Sequence, residues 1–159
     1  MHKTFHCHVI DFSLKRKDVD LYKDDQYAYY KDTQLFKLSD LKIVGEFNCG
    51  NAMMASCMAY LMGVSLFNIQ EVIREFSGVE HRIEYVDTVK GVAYYNDSKG
   101  TNPDAAIKGI KAMNRPTWLI GGGYDKKSTY DEWIEAFDGK VKELILMGVT
   151  APKIADCAK

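Results

Sequence analysis

Apolar and polar positions fall into three successive patterns along the chain. Residues 1 to about 44 alternate short β-type runs with charged turns. Phe5-His6-Cys7-His8-Val9-Ile10 and Gln26-Tyr27-Ala28-Tyr29-Tyr30 are rich in aromatic and β-branched residues and predict strands. Lys15-Arg16-Lys17-Asp18 and Lys23-Asp24-Asp25 predict solvated turns, so this region is expected to form a small, partly antiparallel sheet. Residues about 49 to 77 carry a helical period. Asn51 to Met62 is apolar almost all round, which predicts a helix buried on most faces. Gly63 would end it, and Ser65 would cap a second helix in which Ile69, Val72, Ile73 and Phe76 form one apolar stripe, stopped by Ser77-Gly78.

From residue 82 the pattern changes again. Arg82 to Val86 and Val92 to Tyr95 flank a Lys90-Gly91 turn, which predicts a hairpin. Helix and buried strand then alternate: Asp104 to Met113 helical, Thr117 to Ile120 a strand, Tyr130 to Phe137 helical, Glu143 to Met147 a strand, and a helix from Ala151. This β-α-β-α order predicts a parallel, Rossmann-like sheet. The fold class is therefore α/β.

Composition narrows the classes of partner. The 159 residues are 47% hydrophobic and 27% charged, as in a soluble globular protein. Twenty-one basic residues face 22 acidic ones, so no single-sign field is available for nucleic acid or an anionic membrane surface. No apolar run reaches the roughly 18 residues that cross a bilayer, and the first residues lack the apolar core of a signal peptide. Cys7, Cys49, Cys57 and Cys157 are scattered and form no CxxC pair, which argues against zinc and fits reduced thiols in a cytoplasm.

Two loops are chemically dense. Asn96-Asp97-Ser98-Lys99-Gly100-Thr101-Asn102-Pro103 lies between a strand and a helix, where ligands of open α/β sheets bind. Asp97 could accept hydrogen bonds from a ribose or help hold a metal, Lys99 could neutralise a phosphate or carboxylate, and Thr101 with the helix N-terminus could bind an anion. Asn102 and Pro103 are explained equally well as an ordinary helix cap; Asp97 and Lys99 are not. The second loop, Gly121-Gly122-Gly123-Tyr124-Asp125-Lys126-Lys127-Ser128, would present Lys126 or Lys127 to an anion, although a tight turn with solvated lysines accounts for it as well. Neither loop is GxxxxGK[ST] or GxGxxG. Elsewhere, Arg82 beside His81 could clamp a phosphate. Asn48 and Asn51 serve as helix caps by default. His6 and His8 share one strand face without a third metal ligand nearby.

Four motifs occur in the order and spacing of the D-glutamate-adding Mur ligases: Gly45-Glu46-Phe47-Asn48-Cys49-Gly50-Asn51-Ala52, Gly78-Val79-Glu80-His81-Arg82-Ile83-Glu84, the Asn96–Pro103 run, and Gly121-Gly122-Gly123-Tyr124-Asp125-Lys126. Residues 43 to 159 resemble that family. The Asn-Asp-Ser-Lys-x-Thr-Asn run is the most specific element, because sister ligases carry an Asp-Tyr-Ala-His type of sequence there.

The resemblance implies residues 1–78 as the C-terminal part of a central ATP-binding domain and 79–159 as the first part of a Rossmann-like, glutamate-binding domain. It implies ATP with magnesium as cofactors, and UDP-N-acetylmuramoyl-L-alanine and D-glutamate as substrates joined through an acyl phosphate in peptidoglycan synthesis. A cytoplasmic monomer is expected. By position, Asn51 with Asn48 resembles the adenine contact, Arg82 the arginine that reaches the ATP phosphates, and Asp97 the ribose contact. Lys99, Thr101 and Lys126 match the closing site and the D-glutamate carboxylate contact, with Lys99 and Asp97 the expected catalytic groups.

Two departures stand out. Phe47 occupies a position where the family commonly has His, and no GxxxxGK[ST] phosphate cradle occurs in the 159 residues. The resemblance thus implies a piece of a longer enzyme, inactive alone, with its magnesium ligands mostly elsewhere. A folate-polyglutamate-type ligase and a non-catalytic nucleotide-binding domain of the same fold remain the alternative readings.

Overall fold

A computed structural model describes residues 9–159, so the strand expected over Phe5–Ile10 and the histidines His6 and His8 lie largely outside the described residues. Two compact units result. The first comprises residues up to 42 with Asn48–Phe76, and the second comprises Ile43–Phe47 with Ser77–Lys159.

In the first unit, β1 (Leu21–Lys23), β2 (Tyr27–Tyr30) and β3 (Thr33–Lys37) form an antiparallel sheet in sequence order. Its turns explain the pairing. The Asp24 carboxylate accepts from the amides of Gln26 and Tyr27, each at 2.7 Å, and its second oxygen accepts from the Tyr29 hydroxyl at 3.0 Å. Leu21, Ala28, Tyr30, Leu35 and Phe36 turn inward. With Met53 and Cys57 of α1 (Glu46–Leu61), and Ile69 and Ile73 of α2 (Leu66–Glu75), they make up most of this unit's buried apolar set. Gln70 ties α2 to β3 by donating to the Leu35 carbonyl at 3.1 Å.

The helix ends follow the sequence. Gly63 takes φ +88°, Val64 N–H reaches Ala59 O and Gly63 N–H reaches Tyr60 O, which closes α1 with a Schellman motif. Ser65 Oγ then accepts from Asn68 N at 3.3 Å as the cap of α2.

The second unit opens with a hairpin of β4 (Glu84–Val89) and β5 (Val92–Asn96). Lys90 and Gly91 both adopt positive φ, the type I′ geometry that matches strand twist. After α3 (Pro103–Ala112) come β6 (Thr117–Gly122), α4 (Asp131–Glu135), β7 (Val141–Met147) and α5 (Ala151–Cys157). β6 and β7 pair in parallel from Thr117↔Val141 to Gly122↔Met147, with Ile110, Trp133 and Ile154 buried on the helices. Lys140 Nζ donates to the Ile110 carbonyl at 3.2 Å, adding a cation to the C-terminal end of α3.

Five expectations are corrected. The first helix starts at Glu46, so Asn48 and Asn51 lie within its first turns and are not caps; the chain enters α1 from Gly45 at φ +96°. α1 is not buried on most faces: Met53 and Cys57 face the core while Met54, Met58 and Leu61 are exposed. Likewise Val72 and Phe76 of the α2 stripe remain exposed. In β6 and β7 the covered positions alternate with exposed Trp118, Ile120, Ile145 and Met147, so the sheet is covered on one face by elements of this chain. Finally, among the described residues β5 pairs with β4 only, and β6 with β7 only. The Asn96–Pro103 and glycine loops therefore do not follow two strands of one hydrogen-bonded sheet, and a shared edge cannot be deduced from the topology.

The candidate ligase site

The Asn96–Thr101 loop is built around Asp97. Its Oδ1 accepts from Ile83 N at 3.0 Å, and its backbone carbonyl accepts from Gly100 N at 2.8 Å. Its Oδ2 fills the space left by two missing side chains: a Cβ at Gly100 would come within 2.8 Å of it, and one at Gly109 within 2.7 Å. A glycine inside α3 costs about 1 kcal/mol relative to alanine, and admitting the Asp97 carboxylate is what this one achieves. Burial raises the Asp97 pKa, opposed by the Ile83 amide and by the positive charge of Arg82. Arg82 is thus close enough to act on Asp97 electrostatically.

The hairpin brings the 81–84 segment onto this loop. Lys99 N donates to His81 O at 2.9 Å, and the Asn96 side-chain amide meets His81 Nδ1 at 2.8 Å. Arg82 stands between His81 and Ile83, at φ +66° and +46°, an unusual pair of left-handed non-glycine residues. The side chains of Arg82 and Lys99 are exposed and make no ion pair among the described residues. Asn102 caps α3 by accepting from Ala105 N at 2.8 Å, with Pro103 at the first helical position, and Thr101 is exposed beside that N-terminus. His81, Arg82, Asp97 and Lys99 are therefore assembled in one place. Asn48 and Asn51 belong to the other unit.

The glycine loop is a separate construction. A Cβ on Gly122 would collide with the Met147 carbonyl oxygen, one on Gly121 would come within 2.7 Å of Trp133, and one on Gly148 would press on the Gly123 backbone at 2.8 Å. Two of the three glycines thus serve the close approach of β6 to β7 and α4. Sequence reasoning passed over Thr150, which is 2% exposed: its hydroxyl accepts from Gly123 N at 3.0 Å, and its own amide donates to Gly123 O at 3.3 Å. Gly148-Val149-Thr150 directly after a strand was the available signal. Beyond this interlock, Asp125 Oδ1 accepts from Lys127 N at 2.7 Å while its Oδ2 lies 3.7 Å from Lys153 Nζ. Lys126 projects between these anchored residues, exposed and without an ion pair among the described residues. No described hydrogen bond joins it to the Asp97 group.

Phe47, at the departure from the expected histidine, lies under Lys108, whose ammonium is 4.4 Å from the ring centroid. No three His, Cys, Asp or Glu side chains converge among the described residues.

The raised pKa of Asp97 carries a stability consequence. Between the unfolded value and the raised folded value, the folded state binds more protons, so stability falls as pH rises through that window. Above it, the half-buried carboxylate is a net cost. Asp97→Asn keeps an acceptor for Ile83 and removes that charge. The variant is expected to melt at or above the temperature of the parent chain at pH 7, with the difference vanishing in acid below the unfolded value. Thermal unfolding across pH checks this; a lower melting temperature at pH 7 would contradict it.

A family profile described as "Mur ligase, glutamate ligase domain" matches residues 81–159. The UDP-N-acetylmuramoylalanine–D-glutamate ligase of Lachnoclostridium phytofermentans is 51% identical over 144 residues, covering 91% of this chain and 31% of that protein. The ligase of the same name from a Thermoanaerobacter species is 49% identical over 164 residues, covering 96% and 35%. The chain spans about a third of the length of these relatives. Among solved structures, MurF from Acinetobacter baumannii superposes with a TM-score of 0.70 at 17% identity, covering 90% of this chain and 35% of that one. The UDP-N-acetylmuramate-alanine ligase MurC from Thermotoga maritima gives 0.68 at 15% identity, covering 89% and 35%. These two structures establish the shared α/β fold; the family profile and the sequence matches show that the chain belongs to the Mur ligase family.

Proposed function

We propose that the chain is the part of a D-glutamate-adding ligase that supplies phosphate-side cations and the D-glutamate contact. In this reading, residues 1–78 complete a central ATP-binding domain and 79–159 begin the glutamate-binding domain. The observation that carries it is near 50% identity, over most of the chain, to proteins named UDP-N-acetylmuramoylalanine–D-glutamate ligase. The assembled His81–Arg82–Asp97–Lys99 group supports it, because two cations without ion-pair partners beside one carboxylate suit a nucleotide phosphate with its ribose.

The chemistry runs in two steps. The substrate carboxylate oxygen takes the γ-phosphoryl group of ATP, and ADP leaves. The amine of D-glutamate then attacks the acyl carbon, forming the amide and expelling inorganic phosphate. Arg82 and Lys99 offset the negative charge on the transferring phosphoryl group, which is where such enzymes gain most. Asp97 accepts from the ribose, Asn48 and Asn51 face the adenine, and Thr101 helps close the site. Lys126 holds the D-glutamate carboxylate. Magnesium would supply further charge neutralisation at the phosphates, held mostly by ligands outside this chain. A cytoplasmic monomer fits this role. Among the described residues no helix is long and apolar enough to cross a membrane.

Stoichiometry tests the proposal. The complete ligase carrying this segment is expected to form one ADP per D-glutamate-containing amide, and the isolated chain to release no phosphate. ADP formation uncoupled from D-glutamate incorporation, or turnover by the chain alone, would overturn it.

A further inference from the structure

Arg82 and Lys99 come from different strand ends, yet Lys99 N donates to the carbonyl of His81, the residue before Arg82, at the open mouth of the β4–β5 hairpin. Glu84 and Asn96 are register partners there. Glu84 Oε2 accepts from His81 N at 2.7 Å, bending the chain back into the left-handed turn that precedes Arg82. The same oxygen lies 3.5 Å from both His81 Nδ1 and Asn96 Nδ2. Asn96 Oδ1 accepts from Ser98 N at 3.1 Å, which fixes the amide so that its Nδ2 faces His81 Nδ1. With the amide held this way, Nδ2 is the donor and His81 Nδ1 the acceptor, the arrangement of the Nε2–H tautomer. The His81 carbonyl meanwhile holds Lys99 N.

We propose that Glu84, Asn96 and the Nε2–H tautomer of His81 form a positioning clamp that makes Arg82 and Lys99 one rigid pair aimed at a single phosphoryl group. None of the three need touch the ligand; they act through the two cations. This rests on the ligase reading above and names residues that reading leaves without a role. A clamp of this kind raises turnover rather than affinity for the amine, because pre-set donors strengthen interactions with charge that develops during transfer.

The test is a double-mutant cycle in the complete ligase. Asn96→Ala is expected to lower kcat about tenfold, as the loss of one or two hydrogen bonds would, with the KM for D-glutamate unchanged within about twofold. In a background lacking both cations (Arg82→Ala with Lys99→Ala) the same change should add less than about twofold, since its effect passes through that pair. Glu84→Gln, which keeps an acceptor for His81 N, should retain most activity that Glu84→Ala loses. Nitrogen NMR of His81 in the chain itself should show the Nε2–H tautomer for the neutral ring, and Asn96→Ala should leave the thermal midpoint within a few degrees. Additive losses in the cycle, full activity of Asn96→Ala beside a crippled Arg82→Ala, or a neutral ring with its proton on Nδ1 would each overturn the clamp. If Arg82→Ala and Lys99→Ala are both fully active, the phosphate-site reading fails and the clamp with it.

Discussion

Replacing Lys126 with alanine in the complete ligase is expected to lower kcat/KM for D-glutamate about ten- to hundredfold, with the KM for ATP nearly unchanged. The magnitude follows from losing one hydrogen bond to a charged group, about 1.5–3 kcal/mol. The loop geometry singles out this lysine. Its neighbours are anchored on both sides: Thr150 holds Gly123 by three hydrogen bonds, and Asp125 holds Lys127 N while facing Lys153. Lys126 is left exposed on a fixed backbone, which is how one ammonium is offered to a small dicarboxylate. Lys127, at φ +61°, is the neighbour control and should be silent. Steady-state kinetics with D-glutamate and ATP varied separately decide the matter. A damaging Lys127→Ala would shift the contact by one residue, and two silent variants would reduce the loop to a turn.

The other large effect concerns folding. Gly122→Ala is expected to destabilise the second unit by about 4 kcal/mol or more, a large share of a domain's usual 5–15 kcal/mol. The residue sits at φ +121°, which an alanine adopts at a cost of order 1–3 kcal/mol. The new methyl would also meet backbone rather than a flexible side chain: the Met147 carbonyl oxygen first, with Met147 C at 3.0 Å and N at 3.1 Å. Overpacking against a hydrogen-bonded strand that cannot yield adds about 1–3 kcal/mol or more. Gly139→Ala is the control, at φ +66° with nothing within 4 Å, and should cost only about 1–2 kcal/mol. Urea unfolding of the chain measures both. A Gly122→Ala variant as stable as the parent would contradict the Gly122↔Met147 register.

Local chemistry was legible in the sequence wherever one residue type answers one backbone need. Lys90-Gly91 marked a hairpin, Ser65 and Asn102-Pro103 marked helix starts, and the alternation from Asp104 onward marked a parallel pair. Burial was less legible. An apolar run such as Thr117–Ile120 reports the burial a strand is suited to, not the cover supplied by this chain, so Trp118 and Ile120 are exposed. The start of α1 was misjudged because asparagine favours caps, whereas Asn48 and Asn51 sit inside a helix entered from Gly45.

The candidate site's residue types could be picked out, but not their connections. The bonds from Asn96 to His81 and from Asp97 to Ile83 span 15 and 14 residues across a hairpin, and no local spacing encodes them. Thr150 escaped notice because a hydroxyl after a glycine has many local uses; only the fold aims it at Gly123.

The most direct measurement of the central claim is a segment exchange. This chain would replace the corresponding third of the Lachnoclostridium phytofermentans ligase, which it matches at 51% identity. The purified chimaera would be offered ATP, UDP-N-acetylmuramoyl-L-alanine and, in separate reactions, D-glutamate, L-alanine, a diamino acid and a dipeptide. Amide formation with D-glutamate alone, abolished or strongly reduced by Lys126→Ala, is the predicted result. A folded chimaera that uses another of these amines as well as it uses D-glutamate, or is indifferent to Lys126, would contradict the account.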